Sequence, residues 1–304
     1  MSSAQSSLLE ACARACRAPR LLRRRARLAL RTLDRLPAPG RSQIQFSLKI
    51  AGDRPLPILR LWSLWHRVAP GPAQERRDAY LARLRGFSKL MGPATAGGGA
   101  RSALKALELV GERPIDLFLS ADFGVEESVY GLCLAFGGVR EDGKAVFFPE
   151  ADAVAREVLS EAGFARRKIA RRGLLNLAFD IRRGALLCKT YRLAGPQAPL
   201  RGRQAQAARA LTRRLRRHRP FVFFSDSHGA GGRRRKLFVE LLDKPWTGEA
   251  DALKRIVGAV VAAGGRLEAR AAVLSLASCP ALLACVGLEE DGTATFYLRP
   301  GGEA

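Results

Sequence analysis

The sequence lacks any run of about 18 to 20 uninterrupted apolar residues, the length that a membrane-spanning helix requires. Glycine or arginine interrupts its longest apolar stretches within a turn or two, so we expect a soluble protein. Cysteine is also scarce, and the six cysteines share no spacing typical of a zinc site. Their scatter favours a reduced, cytoplasmic setting, and 304 residues can form a large core without disulfides.

Acidic residues and lysine are few beside arginine. The chain carries 52 Lys and Arg against 28 Asp and Glu, a formal net charge of +24, and only nine of these cations are lysine. A field this positive attracts anions and speeds their capture. Nucleic acid, an anionic membrane and a small phosphorylated substrate are therefore three open classes of partner.

Residues 1–40 are predicted to form a basic helical segment, and residues 41–304 a single domain. A Pro- and Gly-rich stretch at residues 36–40 separates the two. The arginine-rich start also fits an organellar transit peptide, but we favour an amphipathic first helix. Its predicted buried stripe consists of leucines: Leu8, Leu9, Leu21, Leu22, Leu28 and Leu30.

Beyond residue 40, pairs of amphipathic strands alternate with helical segments. Polar and apolar side chains alternate from Gln43 to Ile50, which is typical of a half-buried strand, and residues 58–62 are its predicted partner. Four more hairpins are predicted over residues 115–136, 174–193, 221–242 and 282–299. Helices are predicted between them, over residues 74–90, 102–109, 151–162, 204–218 and 249–263.

This alternation distinguishes the chain from a doubly wound sheet, in which single helices join parallel strands buried on both faces. The pattern predicts an α/β fold, a ten-stranded antiparallel barrel of five hairpin repeats with helices outside. Closure into a barrel removes the exposed strand edges. Because the helices must cover the apolar strand faces, the polar faces are expected to converge inside.

Cations and aromatic rings share these polar faces, two residues apart, at Lys189 with Tyr191, at Lys236 with Phe238, and at Tyr297 with Arg299. An allylic diphosphate that ionises leaves a polyanion, which lysine and arginine stabilise. The other product is an allylic cation, which aromatic faces shield from water. The pattern therefore indicates prenyl transfer from an isoprenoid diphosphate.

Several segments resemble the ABBA aromatic prenyltransferases, especially the dimethylallyltryptophan synthase branch, and also the shorter bacterial enzymes. The resemblance rests on residues 177–184 with Lys189-Thr190-Tyr191, on Arg234-x-Lys236-x-Phe238, on the last strand from Thr293 to Pro300, and on Arg60 in the first hairpin. It implies ten antiparallel strands around a solvent-filled centre. The implied substrates are dimethylallyl or geranyl diphosphate and an aromatic small molecule or peptide.

The resemblance also implies roles for individual residues inside the barrel. It assigns diphosphate binding to Arg60, Lys189, Arg234, Lys236 and Arg299, the shield of the allylic cation to Tyr191, Phe238 and Tyr297, and acceptor binding to Gln45 and Lys49. Phe238 replaces a tyrosine common in the family, and the first strand carries Gln45 and Lys49 where indole-directed members place a glutamate. We therefore expect tryptophan to be a poor acceptor beside a phenolic compound.

No Asp-rich DDxxD motif of the kind that holds magnesium in helical terpenoid enzymes is present. A cavity lined by cations can hold a diphosphate without metal, so we expect no cofactor and no strict need for magnesium. Residues 289–291 are interpreted as solvated acids of a hairpin turn. Ser225-Asp226-Ser227-His228 is interpreted as part of a Gly-rich loop, since a catalytic triad is assembled in space and not from adjacent residues.

Two other functions fit the composition. Arginine runs at residues 23–25, 213–219 and 233–235 favour a nucleic-acid-binding protein, although no zinc finger or aromatic RNA-recognition pattern accompanies them. A catalytically silent barrel that binds hydrophobic molecules is the other alternative.

Overall fold

Ten antiparallel strands, joined in pairs, form the centre of the protein. A computed structural model gives the structure of residues 3–37, 41–51, 54–66, 72–111, 113, 115–139, 145–164, 174–182, 185–193, 221–229, 232–240 and 281–300. The predicted helices over residues 204–218 and 249–263 lie outside these described residues.

Each long strand pairs with the next one along the chain. The five hairpins are β1 (Arg41–Ala51) with β3 (Leu59–His66), β4 (Asp116–Phe123) with β5 (Ser128–Ala135), β8 (Leu174–Arg182) with β9 (Ala185–Leu193), β10 (Phe221–Gly229) with β11 (Gly232–Glu240), and β12 (Ala281–Glu289) with β13 (Ala294–Pro300). Short β2 (Arg54–Pro55) pairs with the end of β1, and β6 (Gly137–Val139) forms a small separate sheet with β7 (Ala145–Phe147).

The sheet closes on itself. Neighbouring hairpins are hydrogen-bonded in chain order from β1 to β13, and β13 then pairs antiparallel with β1, with Phe46 opposite Leu298. Closure leaves no unpaired edge among the ten strands, which removes the aggregation risk of an open sheet. The predicted ten-stranded barrel of five hairpin repeats is confirmed.

The apolar strand faces point outward, where helices cover them. α1 (Ser3–Ala15) packs on β1 and β13, and α2 (Arg20–Asp34) packs on β3 and β4. The remaining described helices are α3 (Ala73–Met91), a 3-10 turn (Gly92–Ala96), α4 (Gly98–Glu108) and α5 (Ala151–Glu161). None of the described helices combines the length and the hydropathy that crossing a bilayer requires.

Two separate apolar cores result. The outer core, between barrel and helices, contains the outward side chains Phe46, Leu61, Phe179, Phe296 and Leu298. Each fully buried side chain of this size contributes about 1.5–3 kcal/mol. The second core is smaller and lies inside the barrel. The barrel strands are therefore buried on both faces, and the polar side chains on their inner faces are enclosed inside the barrel.

The N-terminal segment is two helices, not the single helix that we predicted. Pro19 is the N-cap of α2, and Arg17 adopts a left-handed backbone with φ of 51°. Proline lacks the N–H that a continuing helix needs and disfavours the α conformation of the residue before it, so the helix breaks. The predicted buried stripe is also partly wrong, because Leu21 and Leu28 are 58% and 61% exposed.

A second correction concerns β10. The strand continues through Ser225-Asp226-Ser227-His228, which we had assigned to a loop. Successive side chains of a strand point to opposite faces. Ser225 and Ser227 therefore face the interior of the barrel and Asp226 and His228 the outside, an arrangement that agrees with our rejection of a catalytic triad.

Arg83 is a buried cation that joins α3 to the barrel. Its guanidinium donates hydrogen bonds to the Ser63 hydroxyl at 2.7 Å and to the Pro37 carbonyl at 3.1 Å. It also lies 5.2 Å from the centre of the Trp65 ring. Burial lowers the pKa of Arg83 to about 10, so the group is still charged at neutral pH.

Replacing Arg83 by alanine is expected to destabilise the fold by about 3 kcal/mol, because a cavity opens and the buried Ser63 hydroxyl and the Pro37 carbonyl lose their donor. Arg83→Met keeps most of the side-chain volume, so we expect it to lower the free energy of unfolding by about half as much as Arg83→Ala. Urea unfolding followed by circular dichroism measures both, with exposed Arg101→Ala on α4 as the control. Equal unfolding midpoints for Arg83→Ala and Arg101→Ala would contradict a structural role for the buried guanidinium.

Candidate active site

The lumen, which we define as the interior enclosed by the ten strands, receives every second side chain of each strand. The register places Ser47 opposite Arg60 and Tyr297, Arg60 opposite Asp122, and Ala178 opposite Lys189. The same alternation brings all of the residues predicted for the site to the lumen face: Gln45, Lys49, Arg60, Lys189, Tyr191, Arg234, Lys236, Phe238, Tyr297 and Arg299.

Four of these cations form ion pairs with three carboxylates, to which the sequence analysis assigned no role in the site. The charged cluster consists of Lys49, Arg60, Lys189, Lys236, Asp122, Asp180 and Glu289. Arg60 donates two hydrogen bonds to Asp122, and Lys189 pairs with Asp180. Lys49 lies 2.8 Å from the Glu289 carboxylate and Lys236 lies 3.5 Å from it.

The charged cluster lies near the hairpin turns and is largely buried. Burial alone would lower the pKa of Arg60, but the adjacent carboxylates, Asp122 above all, raise it well above its usual range. Burial also disfavours a charged Glu289, yet Lys236 and Lys49 hold the pKa of that carboxyl below its ordinary value. Asp122 therefore keeps Arg60 ionised and in place.

Lys236 is the exception among the cations. Burial lowers the pKa of its amine to about 7; Glu289 raises it, and the like charges of Arg60, Lys49 and Lys189 lower it further. The side chain crosses β12 over Gly287, where any Cβ would lie 2.3 Å from the lysine Cε. A Cβ at this position would displace the end of the lysine side chain, whose amine contacts the Thr295 hydroxyl at 2.6 Å.

An aromatic cluster adjoins the charged cluster on the side away from the turns. It consists of Trp62, Tyr191, Phe223, Phe238 and Tyr297. Phe238 is its centre: it stacks on Phe223 with ring centres 4.8 Å apart and lies 5.7 Å from Tyr191 and 6.1 Å from Tyr297. Trp62 contacts Tyr297 edge-on at 6.3 Å.

The aromatic cluster already holds the Lys236 amine, which is a cation below about pH 7, at its edge. The Lys236 amine lies 5.4 Å from the centre of the Phe238 ring and 5.7 Å from that of Tyr297. Burial raises the pKa of both Tyr191 and Tyr297 above their usual range, so the two phenols are neutral at physiological pH. Neutral rings facing a cation are what cation–π stabilisation requires.

Trp62 brings a second polar feature to this cluster. Its indole Nε1 is buried and has no hydrogen-bond partner among the described residues. A buried donor without an acceptor is costly and is therefore a candidate contact for a ligand oxygen.

Of the three carboxylates of the charged cluster, one was predicted wrongly from the sequence and two were missed. Glu289 is not a solvated turn residue, because it is half-buried and pairs with two lumen lysines. Asp122 and Asp180 were missed, although strand alternation puts them on the same faces as the predicted cations. Arg234 faces the lumen side but is exposed at its rim. Among the described residues, no three His, Cys, Asp or Glu side chains group as a metal site would.

Comparison with known proteins supports the architecture. No protein-family profile and no curated protein matches the sequence. Among solved structures, AnaPT from Neosartorya fischeri, an aromatic prenyltransferase, matches with a TM-score of 0.50 at 14% identity, over 86% of this chain and 78% of AnaPT. The chain has the ABBA fold. At this identity the likeness establishes the fold alone, and the chemistry must be argued from the lumen residues.

Proposed function

We propose that the chain is an enzyme that transfers a prenyl group from an isoprenoid diphosphate to an aromatic acceptor within the lumen. The observation that carries this proposal is the contact between the charged and aromatic clusters, with the Lys236 amine over the faces of Phe238 and Tyr297. One end of the lumen thus suits a polyanion and the adjoining end a carbocation. Ionisation of an allylic diphosphate produces both at once.

The lumen cations bind and stabilise the leaving diphosphate. Lys189, Lys236 and Arg60 are held by carboxylates, and a diphosphate with several negative charges competes for the same donors. The C–O bond breaks and its electron pair leaves with the diphosphate. An acceptor carbon then attacks the cation shielded by the aromatic cluster, and its proton passes to water or to a lumen base.

The acceptor in this proposal is a phenolic aromatic compound. Arg60 binds both oxygens of Asp122, and Asp180 and Glu289 each pair with lysine, so cations compete with an indole N–H for these carboxylates. The Trp62 Nε1 donor instead suits an oxygen atom on the acceptor. Gln45, opposite Trp62 on β1, and Lys49 supply further donors on the same side of the lumen.

The test incubates the protein with dimethylallyl or geranyl diphosphate and a panel of phenols, naphthols, indoles and aromatic peptides, with and without magnesium. We expect prenylated phenols and little prenyltryptophan, with activity persisting in chelator. Trp62→Phe, which keeps a ring and removes the donor, should raise KM for the phenol more than it lowers kcat. Diphosphate binding without any product would instead indicate the catalytically silent barrel.

We expect binding of the prenyl diphosphate to depend on pH through Lys236. Its pKa of about 7 means that the amine is charged below pH 7 and neutral above it, whereas a bound diphosphate favours the charged form. Affinity for a non-hydrolysable analogue should therefore fall between pH 7 and 9, by at most about tenfold per unit. Lys236→Arg keeps its charge at all these pH values and should give a flat profile in calorimetric titrations. A flat profile for the unmodified protein would contradict the assignment.

One observation weakens the nucleic-acid alternative. The Asp226 carboxylate is fully buried and binds both Arg235 and Arg192, at 2.9 and 2.7 Å. Both guanidinium groups also lie over the Phe224 ring on the outside of the barrel. Arg234 faces the lumen side and Arg235 the outside, so these two arginines of the run do not share one basic surface.

A further inference from the structure

α2 presents two leucines to solvent on the face that points away from the barrel. Leu22, Ala26, Leu30 and Leu33 bury the opposite face. Leu21 and Leu28 are seven residues apart, so they lie two turns apart on one side of the helix. With 58% and 61% of their surfaces exposed, they form an apolar ridge that the fold leaves in water.

Arginines surround this leucine ridge. α2 contains six arginines and one acid, with no acid in its first turn. Arg24, Arg25 and Arg31 are exposed beside the ridge. Glu10 on α1 does not neutralise these three arginines, because its carboxylate pairs with Arg27 at 2.8 Å. The exposed face of α2 is therefore strongly cationic as well as partly apolar.

A concave site lies at the N-terminal end of the ridge. An open pocket there is lined almost entirely by apolar and arginine side chains: Ala18, Arg20, Leu21, Arg23, Arg24 and Arg27. Arg23 also donates to the Ala18 carbonyl at 2.9 Å. Four arginines that line one open pocket suit a phosphate headgroup.

We propose that the exposed face of α2 docks the protein on an anionic lipid bilayer. Arginines then bind lipid phosphates while Leu21 and Leu28 insert at the level of the acyl chains, as amphipathic interfacial helices do. Charge complementarity selects an anionic partner, and the leucines select a bilayer over nucleic acid, whose phosphate backbone offers no apolar surface along the ridge. The buried face of α2 stays packed on the barrel, so docking requires no unfolding. This proposal is independent of prenyl transfer.

The test is co-sedimentation of the full chain with vesicles of phosphatidylcholine alone or mixed in equal parts with phosphatidylglycerol. We expect binding to the anionic vesicles only. Leu21→Ser with Leu28→Ser should weaken it roughly tenfold by removing the inserted apolar surface. Arg24→Glu with Arg31→Glu should weaken it at least about 25-fold, since each basic residue near an anionic surface contributes a factor of about five.

Matched controls carry the same changes elsewhere on the surface. Leu109→Ser with Val125→Ser removes exposed apolar side chains, 46% and 64% accessible, and Arg101→Glu with Arg156→Glu reverses exposed charges on α4 and α5. Both controls should bind as the unmodified protein does. Absence of vesicle binding, or equal losses in control and α2 variants, would overturn the proposal. The proposal would also be overturned if the leucine changes left vesicle binding unaffected while RNA binding, measured by fluorescence anisotropy, depended on Arg24 and Arg31.

Discussion

Replacing Lys189 by alanine is expected to weaken the binding of a prenyl diphosphate analogue by ten- to a hundredfold. A charge-assisted hydrogen bond to the diphosphate is worth about 1.5–3 kcal/mol. The structure adds a second penalty, because Lys189 pairs with Asp180 within the lumen. Without the lysine, that carboxylate repels the incoming polyanion. Calorimetric titration with geranyl thiolodiphosphate measures the loss.

The double variant Asp180→Asn with Lys189→Ala separates the two effects. Neutralising Asp180 removes the repulsion and leaves only the missing contact, so the double variant should bind more tightly than Lys189→Ala alone. Lys105→Ala, which removes an exposed lysine paired with Glu161 on the outer surface, is the matched control and should bind normally. Unchanged affinity in Lys189→Ala would show that this strand face does not hold the diphosphate.

Replacing Tyr191 by alanine should slow turnover by about 30-fold or more while donor binding stays nearly intact. The ring packs 5.7 Å from Phe238 and 6.3 Å from Phe223, so its removal opens the aromatic cluster. A desolvated cation–π contact is worth about 2 kcal/mol or more, which a developing allylic cation would lose. Water entering the gap should also capture the cation and release free prenol.

Tyr191→Phe is the matched control, since it keeps the ring and removes the hydroxyl. Because burial raises the pKa of Tyr191 and keeps the phenol neutral, the hydroxyl carries no charge that the shield needs. We therefore expect Tyr191→Phe to retain most of the turnover and to release little prenol. If the phenylalanine and alanine variants lost activity equally, the hydroxyl and not the ring face would be the functional group.

The barrel could be predicted from sequence because its strands are amphipathic and paired. Alternation from Gln43 to Ile50 and from Thr293 to Pro300 identifies which face is polar, and five hairpins that close into a barrel leave no exposed edge. The same alternation placed Lys189, Tyr191 and Tyr297 on the lumen side before any coordinates. Local periodicity determines side-chain direction in a strand, so these inferences needed no long-range information.

The remainder depended on contacts between residues far apart in the chain. Asp122 meets Arg60 from a strand 62 residues later, and Lys236 meets Thr295 across 59 residues. A local sequence pattern does not indicate such pairs. Glu289 was therefore predicted to be a solvated acid of a hairpin turn, because its lysine partners are far from it in the sequence. The exposed leucines of α2 were missed for a related reason: Pro19 resets the helical phase, and the phase decides which leucines face the barrel.

The most direct test of the central claim is the change in melting temperature that geranyl thiolodiphosphate produces at physiological salt. A ligand that binds only the folded state stabilises it, so we expect a saturable increase for the unmodified protein that is largely lost in Lys189→Ala. Inorganic pyrophosphate should give a smaller increase, because it lacks the chain that contacts the aromatic cluster. No increase with either ligand, together with tight RNA binding that falls steeply with salt, would contradict the account.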